Sequence, residues 1–330
     1  MKMQPKLSLL SILNYRRAHN STTEALFINE YLLPIINAMG HSPAMDYEGN
    51  IWVKTEEKEL APYLFCAHID TCHNTEGMQT PLVKADGMVA VHPADFAGGC
   101  LGADDGVGIY ASLRMMKAGV KGTYLFTRGE ERGGIGASYI AHHTPYKLEG
   151  FKMCIQVDRA DTAEVIISQS YGDCASVEFG QQLSDMLGMG HSPSTEGVYT
   201  DNAEFGDIIP ESVNIAAGYC HQHTNRETVN TIYVEALINK LIDIDWSELA
   251  IVREPGDYGD WMGCGGNYSG WGGHMSSQDS KYEMLLEYIT QHPCRVANYL
   301  EAIGVERYEI EKEWAYDQDE EEEKLASGMY

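Results

Sequence analysis

Basic residues are scarce in this chain. Its 23 lysines and arginines stand against 49 aspartates and glutamates, for a formal net charge of -26. A surface this acidic repels phosphate backbones and anionic bilayers, so nucleic acid and membrane are set aside as partners. No apolar run is long enough to span a bilayer. The start, MKMQPKLSLLSILNYRRAH, has a short apolar stretch but no small-residue cleavage site, and no secretory signal is expected from it. None of the eight cysteines (Cys66, Cys72, Cys100, Cys154, Cys174, Cys220, Cys264, Cys294) forms a CxxC pair. Cys66 and Cys154 lie inside apolar runs, where a free thiol behaves as a small hydrophobe. Reduced thiols in a cytoplasmic protein are therefore expected rather than a disulfide framework. The chain has no internal repeat, and nothing in it fixes an oligomeric state.

With 330 residues, 44% of them hydrophobic, the chain can bury one large domain with an appendage, or two modest ones. Helical spacing covers 8–16 and 22–39, the latter with Ser21 or Thr22 as cap and Pro34 as a kink or break. Strands are predicted over 49–54, 63–70, 123–129, 151–158 and 212–219. A hairpin is predicted from 164–168 and 174–179, and helices over 106–120, 135–142 and 229–242. Strand, polar residue, helix, repeated, is the pattern of an α/β fold: a mostly parallel central sheet with helices on both faces. Functional groups of such sheets gather at the carboxyl ends of the strands. A catalytic domain is expected over 1–246. The remainder, 247–330, reads as a glycine-rich stretch, then a helical one, then an acidic tail.

Acids and imidazoles mark the ends of the apolar runs: His68 and Asp70 in AHID, Asp104 in GADDG, Glu130 and Glu131 in RGEERGG, Asp158 in IQVD and His223 in HQHTNRE. Crowded carboxylates and imidazoles repel or lose hydration unless a cation binds them, and this set suits two divalent metal ions. Zinc is the first expectation, with cobalt or manganese as alternatives, because the ligands are oxygen-rich with two imidazoles and no thiolate. His68 is read as a ligand and Asp70 as the carboxylate that orients its ring. Asp104 is read as the carboxylate bridging the two ions. It stands one turn before Gly108, whose missing side chain would leave room for them, and Asp105 is the fallback. Glu130 is read as the general acid/base and Glu131 as a ligand, since adjacent glutamates cannot face the same way. Asp158 ends a buried strand. His221 rivals His223, being two residues away in a segment read as extended. Each element alone has an ordinary explanation: a helix cap for Asp104, a solvated turn for the glutamates, a turn former for Asp158. All five in order along an α/β pattern point to one site.

The motifs HxD, GADDGxG, GEE, VD and GYxxxHTxxE, in that order, resemble the co-catalytic metallopeptidases of families M28, M20 and M42, over roughly residues 8–245. The resemblance implies the zinc-dependent exopeptidase (phosphorylase/hydrolase-like) fold. It places one metal on His68, Asp104 and Asp158 and the other on Asp104, Glu131 and His223. Glu130 becomes the base and Asp70 the residue orienting His68. The HTxxE match, with Glu227, selects His223 over His221. Only about 65 residues separate Asp158 from His223, too few for the inserted domain of M20 and M42 members, so the layout is most similar to the lid-free M28 aminopeptidases. Hydrolysis of a peptide substrate from its amino end is the function implied. A dipeptidase, carboxypeptidase or deacylase on the same scaffold is the near alternative, and a non-catalytic binding module is the alternative of a different class.

Overall fold

The computed structural model describes residues 5–55, 61–170 and 172–255. The readings made for most of the C-terminal extension lie outside the described residues. Helix α1 (Leu9–Leu13) starts at Ser8, whose hydroxyl accepts the Ser11 N–H. The helix predicted over 22–39 forms as α2 (Thr22–Phe27), a π-helical turn (Ile28–Leu32) and α3 (Leu33–Ala38). Pro34 accounts for the wider turn: it has no N–H to donate and its ring crowds the carbonyl four residues back.

Next come β1 (Ala44–Met45), β2 (Ile51–Lys54), β3 (Tyr63–His68), β4 (Leu82–Val83) and β5 (Met88–Ala90), then α4 (Ala103–Ala118). Strand β6 (Thr123–Thr127), α5 (Ile135–His143) and β7 (Met153–Arg159) follow. After β8 (Glu164–Ile166), β9 (Ser168–Gln169) and β10 (Gly172–Asp173), the chain forms α6 (Val177–Leu187) and β11 (Ser192–Ser194). It then runs through β12 (Glu211–Ala216), β13 (Tyr219–Cys220), β14 (Thr228–Asn230) and α7 (Thr231–Asp243).

Eight strands form the main sheet in the order β1-β2-β6-β3-β7-β12-β8-β11. The central four, β6, β3, β7 and β12, run parallel, and β2 and β8 flank them antiparallel. Alternation along β3 shows how both faces are covered. Phe65 and Ala67 join the larger core with α1, α4 and α7, while Leu64 and Cys66 join a smaller core with Ala137 and Ile140 of α5. The mostly parallel α/β sheet read from the sequence is the one that forms. Between Asp158 and His223 the chain makes further strands of this sheet, the β9–β10 pair and α6, and no inserted lid domain.

One stretch differs. Residues 174–179, read as half of a hairpin, instead lead into α6, and β9 pairs with β10. Ser176 caps this helix by accepting the Phe179 N–H, and Phe179, Leu183 and Leu187 are buried at helical spacing. The period is 3.6 rather than 2, and the short window 174–179 hides it.

A smaller sheet, β13-β14-β5-β4, stands beside the carboxyl ends of the central strands. Its pairing of Thr228 with Ala90 and Asn230 with Met88 fixes the 221–227 turn next to the 91–103 loop. Beyond α7, Leu249 is buried and Arg253 donates to the carbonyls of Gly206 and Pro210, both at 2.9 Å. The six described cysteines are free thiols. Among the described residues no helix is long and apolar enough to cross a membrane.

Candidate active site and metal centre

Four parallel strands end at one edge, and the acids and imidazoles collect there. His68 closes β3, completely buried. Its Nε2 lies 3.0 Å from Asp104 Oδ1 and 3.6 Å from Asp158 Oδ1. Asp158 sits near the end of β7, where the register against β12 slips between Asn214 and Ala216. Such a bulge re-aims a side chain at a strand end. Three donors fix the Asp158 carboxylate: Tyr219 Oη gives to Oδ1 (3.0 Å), and Thr200 Oγ1 (2.7 Å) and Gln156 Nε2 (3.3 Å) give to Oδ2. Burial, then the Asp104 charge, push this carboxyl up to about 6 against the pull of His68.

The two aspartates of GADDG divide the work. Asp104 and Asp105 have non-helical backbone angles, so the regular part of α4 begins after them. Asp105 is the cap: its Oδ1 accepts the Gly108 N–H at 2.8 Å and its Oδ2 the His68 N–H at 3.1 Å. A Cβ on Gly108 would stand 2.4 Å from both Asp105 oxygens. Gly108 therefore makes room for the Asp105 carboxylate, not for ions beside Asp104 as expected from the sequence. Asp104 faces the imidazoles, with Oδ1 3.0 Å from His68 Nε2 and Oδ2 3.1 Å from His223 Nε2. Burial opposes its charge, but the two imidazoles hold the carboxyl well below its ordinary value.

His223 comes from a turn rather than an extended segment. His221 and His223 both have left-handed backbone, φ 58° and 60°, which histidine adopts more readily than most residues. His223 Nε2 lies 3.1 Å from Glu131 Oε2, with its own side chain 50% exposed and that of Glu131 6%. His221 is exposed and stands in none of the sets that could hold a metal. Glu131 Oε2 also accepts from Cys72 Sγ at 2.9 Å, whereas Glu131 Oε1 is buried without a partner.

The GEE turn follows β6 and starts from Gly129, whose φ of 77° suits glycine. Asp70 holds it. Its Oδ1 accepts the N–H groups of Gly129 (2.7 Å) and Glu130 (3.1 Å), and its Oδ2 that of Glu131 (3.2 Å). Hydrogen bonds to a charged acceptor contribute about 1.5–3 kcal/mol each, so Asp70 is the anchor of both glutamates. Its link to His68 is weaker: Nδ1 stands 3.0 Å from the Asp70 carbonyl oxygen and 3.9 Å from the carboxylate. Burial, then the charges of Glu131, Asp201 and Asp158, raise the Glu130 carboxyl well above its ordinary value, with His68 pulling the other way.

Glu227 does for Asp104 what Asp70 does for the glutamates. Fully buried, it accepts the N–H groups of Leu101 (2.6 Å), Gly102 (3.0 Å), Ala103 (2.8 Å) and Asp104 (3.1 Å). Burial and the nearby Asp104 charge push it up to about 7. The buried Arg17 ties the two loops together, giving to the carbonyls of Ile69 (2.7 Å) and Gly102 (3.1 Å).

All seven residues singled out in the sequence thus stand at one place. Three sets have ligand atoms within 4.8 Å of one another: His68, Asp104 and Asp158; Cys72, Glu131 and His223; His68, Glu130 and Glu131. The donor set fits divalent cations. Carboxylates dominate, two imidazoles complete it, and one buried glutamate oxygen lacks any partner. Cys72, Thr200, Tyr219 and Arg17 join the site beyond the seven residues singled out in the sequence. Cys72 follows Asp70 by two residues, and Tyr219 lies inside the GY motif, so both were within sight. Thr200 and Arg17 come from irregular segments without a pattern.

A covered α/β sheet with such a cluster at the carboxyl edge suits hydrolytic chemistry, and a family comparison makes the protein a peptidase. The family model described as "Peptidase family M28" matches residues 50–238, more than half of the chain, and the chain belongs to that family. No curated protein matches the sequence. Solved structures share the fold at low identity. A tripeptidase from Staphylococcus aureus superposes with a TM-score of 0.58 at 15% identity, covering 71% of this chain and 95% of its own. The aminopeptidase PepT of Bacillus cereus gives 0.57 at 13%, with 71% and 95% covered. The Pyrococcus horikoshii TET1 peptidase gives 0.50 at 16%, with 71% and 98% covered.

Proposed function

We propose that this peptidase releases residues from the amino end of peptides with the help of two divalent metal ions. The observation that carries the reading is Asp104, whose two carboxylate oxygens face two different imidazoles, His68 at 3.0 Å and His223 at 3.1 Å. A single carboxylate so placed is suited to bridging two cations. His68 and Asp158 would complete one position, and Glu131 and His223 the other. Bound cations would supply Lewis acidity, polarising the scissile carbonyl and lowering the pKa of a water.

The remaining work falls to the chain's own residues. Glu130 takes the proton from the attacking water and returns it to the leaving amine. Glu130 lies within 4.8 Å of His68 and Glu131, beside the proposed metal positions, where a carboxylate can pass a proton. Asp70 keeps Glu130 and Glu131 in place through their N–H groups, and Glu227 does the same for Asp104. The names of two proteins of similar fold, a tripeptidase and an aminopeptidase, support amino-end chemistry here.

The test is a library of short peptides with free or acetylated amino ends, incubated with zinc- or cobalt-loaded protein and followed by mass spectrometry. Stepwise loss of amino-terminal residues from the free peptides alone is expected, with Glu130→Gln reducing the rate about 10²–10⁴-fold at unchanged metal content. Release from the carboxyl end, or cleavage confined to acylated substrates, would overturn the end-specificity. Near wild-type activity in Glu130→Gln would remove Glu130 as the base. Protein that takes up no metal and cleaves nothing would favour a binding module.

A further inference from the structure

Cys72 stands among residues that the two-metal reading already uses, yet that reading gives it no task. Its Sγ lies 2.9 Å from Glu131 Oε2, the oxygen that is also 3.1 Å from His223 Nε2. Sulfur, imidazole and carboxylate arrive from three separate segments: the stretch after β3, the 221–227 turn and the turn after β6. Their ligand atoms all fall within 4.8 Å of one another. A second observation points to a cation at this spot. The Glu131 side chain is 6% exposed, and its Oε1 has no hydrogen-bond partner. A buried carboxylate oxygen left bare is costly unless something positive meets it.

We propose that Cys72 is a sulfur ligand of the Glu131–His223 metal position, making it a site of one thiolate, one imidazole and carboxylate oxygen. This rests on the two-metal reading and adds a donor to it. On binding, the sulfur exchanges its proton for the cation, and the proton passes to solvent. A soft donor at one position and none at the other makes the two unequal. The position with sulfur favours zinc or cobalt, and the His68–Asp158 position, with oxygen and imidazole alone, accepts manganese more readily.

Cobalt substitution tests this without recourse to activity. Metal-stripped protein is titrated with cobalt(II) while the near-ultraviolet spectrum and the bound metal are measured, for wild type, Cys72→Ser and Cys72→Ala. The expected result is a sulfur-to-cobalt charge-transfer band in wild type that saturates with one of two equivalents and is lost in both variants. Chelator competition should show one equivalent weakened by more than ~100-fold in the variants, beyond the ~10–100-fold typical of a residue that only steadies a ligand. Two bound equivalents without the band, or a band that survives both substitutions, would overturn the assignment and leave Cys72 as a hydrogen-bond donor to Glu131. Wild type that binds no cobalt would instead sink the two-metal reading, and this proposal with it. The band in wild type does not depend on whether either variant folds.

Discussion

The two halves of the site are built differently. His68 and Asp158 are carried by neighbouring central strands and packed away from solvent. Their surroundings are side-chain donors, Tyr219, Thr200 and Gln156, fixed by the sheet. Glu131, His223 and Cys72 come from turns, and half of the His223 side chain is exposed. Here the geometry is secured through the backbone instead: Asp70 and Glu227, both fully buried, collect seven N–H groups between them. Asp104 joins the halves. The lesson is that a loop can place a ligand as firmly as a strand when a buried carboxylate gathers its amides. A strand-borne position comes with the sheet, whereas a turn-borne one depends on a few anchors.

Because Asp104 belongs to both halves, removing it should have the largest effect. Asp104→Ala is expected to abolish hydrolysis and to leave less than half of the wild-type metal, by elemental analysis. Retention of both equivalents would mean that each half holds its ion alone, and would undo the bridging role.

Next comes the asymmetry itself, read on metal-free protein. Removing one member of a buried, hydrogen-bonded charge cluster costs about 3–5 kcal/mol, so His68→Ala should lower the urea midpoint strongly. His223 is half exposed, so although its partners Asp104 and Glu131 are buried, His223→Ala should shift the midpoint less than His68→Ala. Equal shifts for the two variants would show that the halves are equally built in. Glu227→Gln is read on function. An amide has one acceptor oxygen where the carboxylate has two, so half of its four N–H contacts are lost. A drop of about 10–100-fold in metal affinity and kcat/KM is expected, in the range of residues that hold ligands in place. No change in either would make Glu227 a packing residue only.

The same contrast explains what the sequence disclosed. The strand-borne residues were legible because a short continuous apolar run announces a buried strand and its last polar residue marks the sheet edge, as with His68 and Asp158. The turn-borne ones needed more. Asp104 and Asp105 are identical in type, and only their environment separates bridge from cap. The sequence reading placed Gly108 behind the metals, when its space is taken by Asp105. His223 was separable from His221 through the family motif alone, since both adopt left-handed backbone in a turn that has no period. Asp70 was read as steadying His68, while its carboxylate is 3.9 Å from that ring and spends its bonds on the GEE turn. Backbone partners of this kind leave no trace in residue pattern. Helix α6 was hidden for a different reason, a short window in which period 2 and period 3.6 look alike.

The last expected effect concerns pH, and it probes the strand-borne half. Asp201 is fully buried and accepts from Thr127 Oγ1 at the end of β6. Burial pushes its carboxyl up to about 7. His68 and Thr127 oppose this, and the charges of Asp70 and Asp158 add to it. The unfolded chain titrates near the ordinary aspartate value, about 3.9. Between these limits the folded state holds a proton that the unfolded state has lost. Stability of metal-free protein should therefore fall as pH rises from about 4 to about 7, and this contribution should level off above that. One proton sets a ceiling of about 1.4 kcal/mol per pH unit on the slope. Glu227 and Asp158, also raised, add slopes of the same sign. The comparison that isolates Asp201 is thus the difference between wild type and Asp201→Asn, from urea midpoints across this window. The variant cannot ionise at that position and should show the flatter profile. Parallel profiles would mean that Asp201 stays charged in the fold, and that the strand-borne half tolerates one more buried negative charge than its packing suggests.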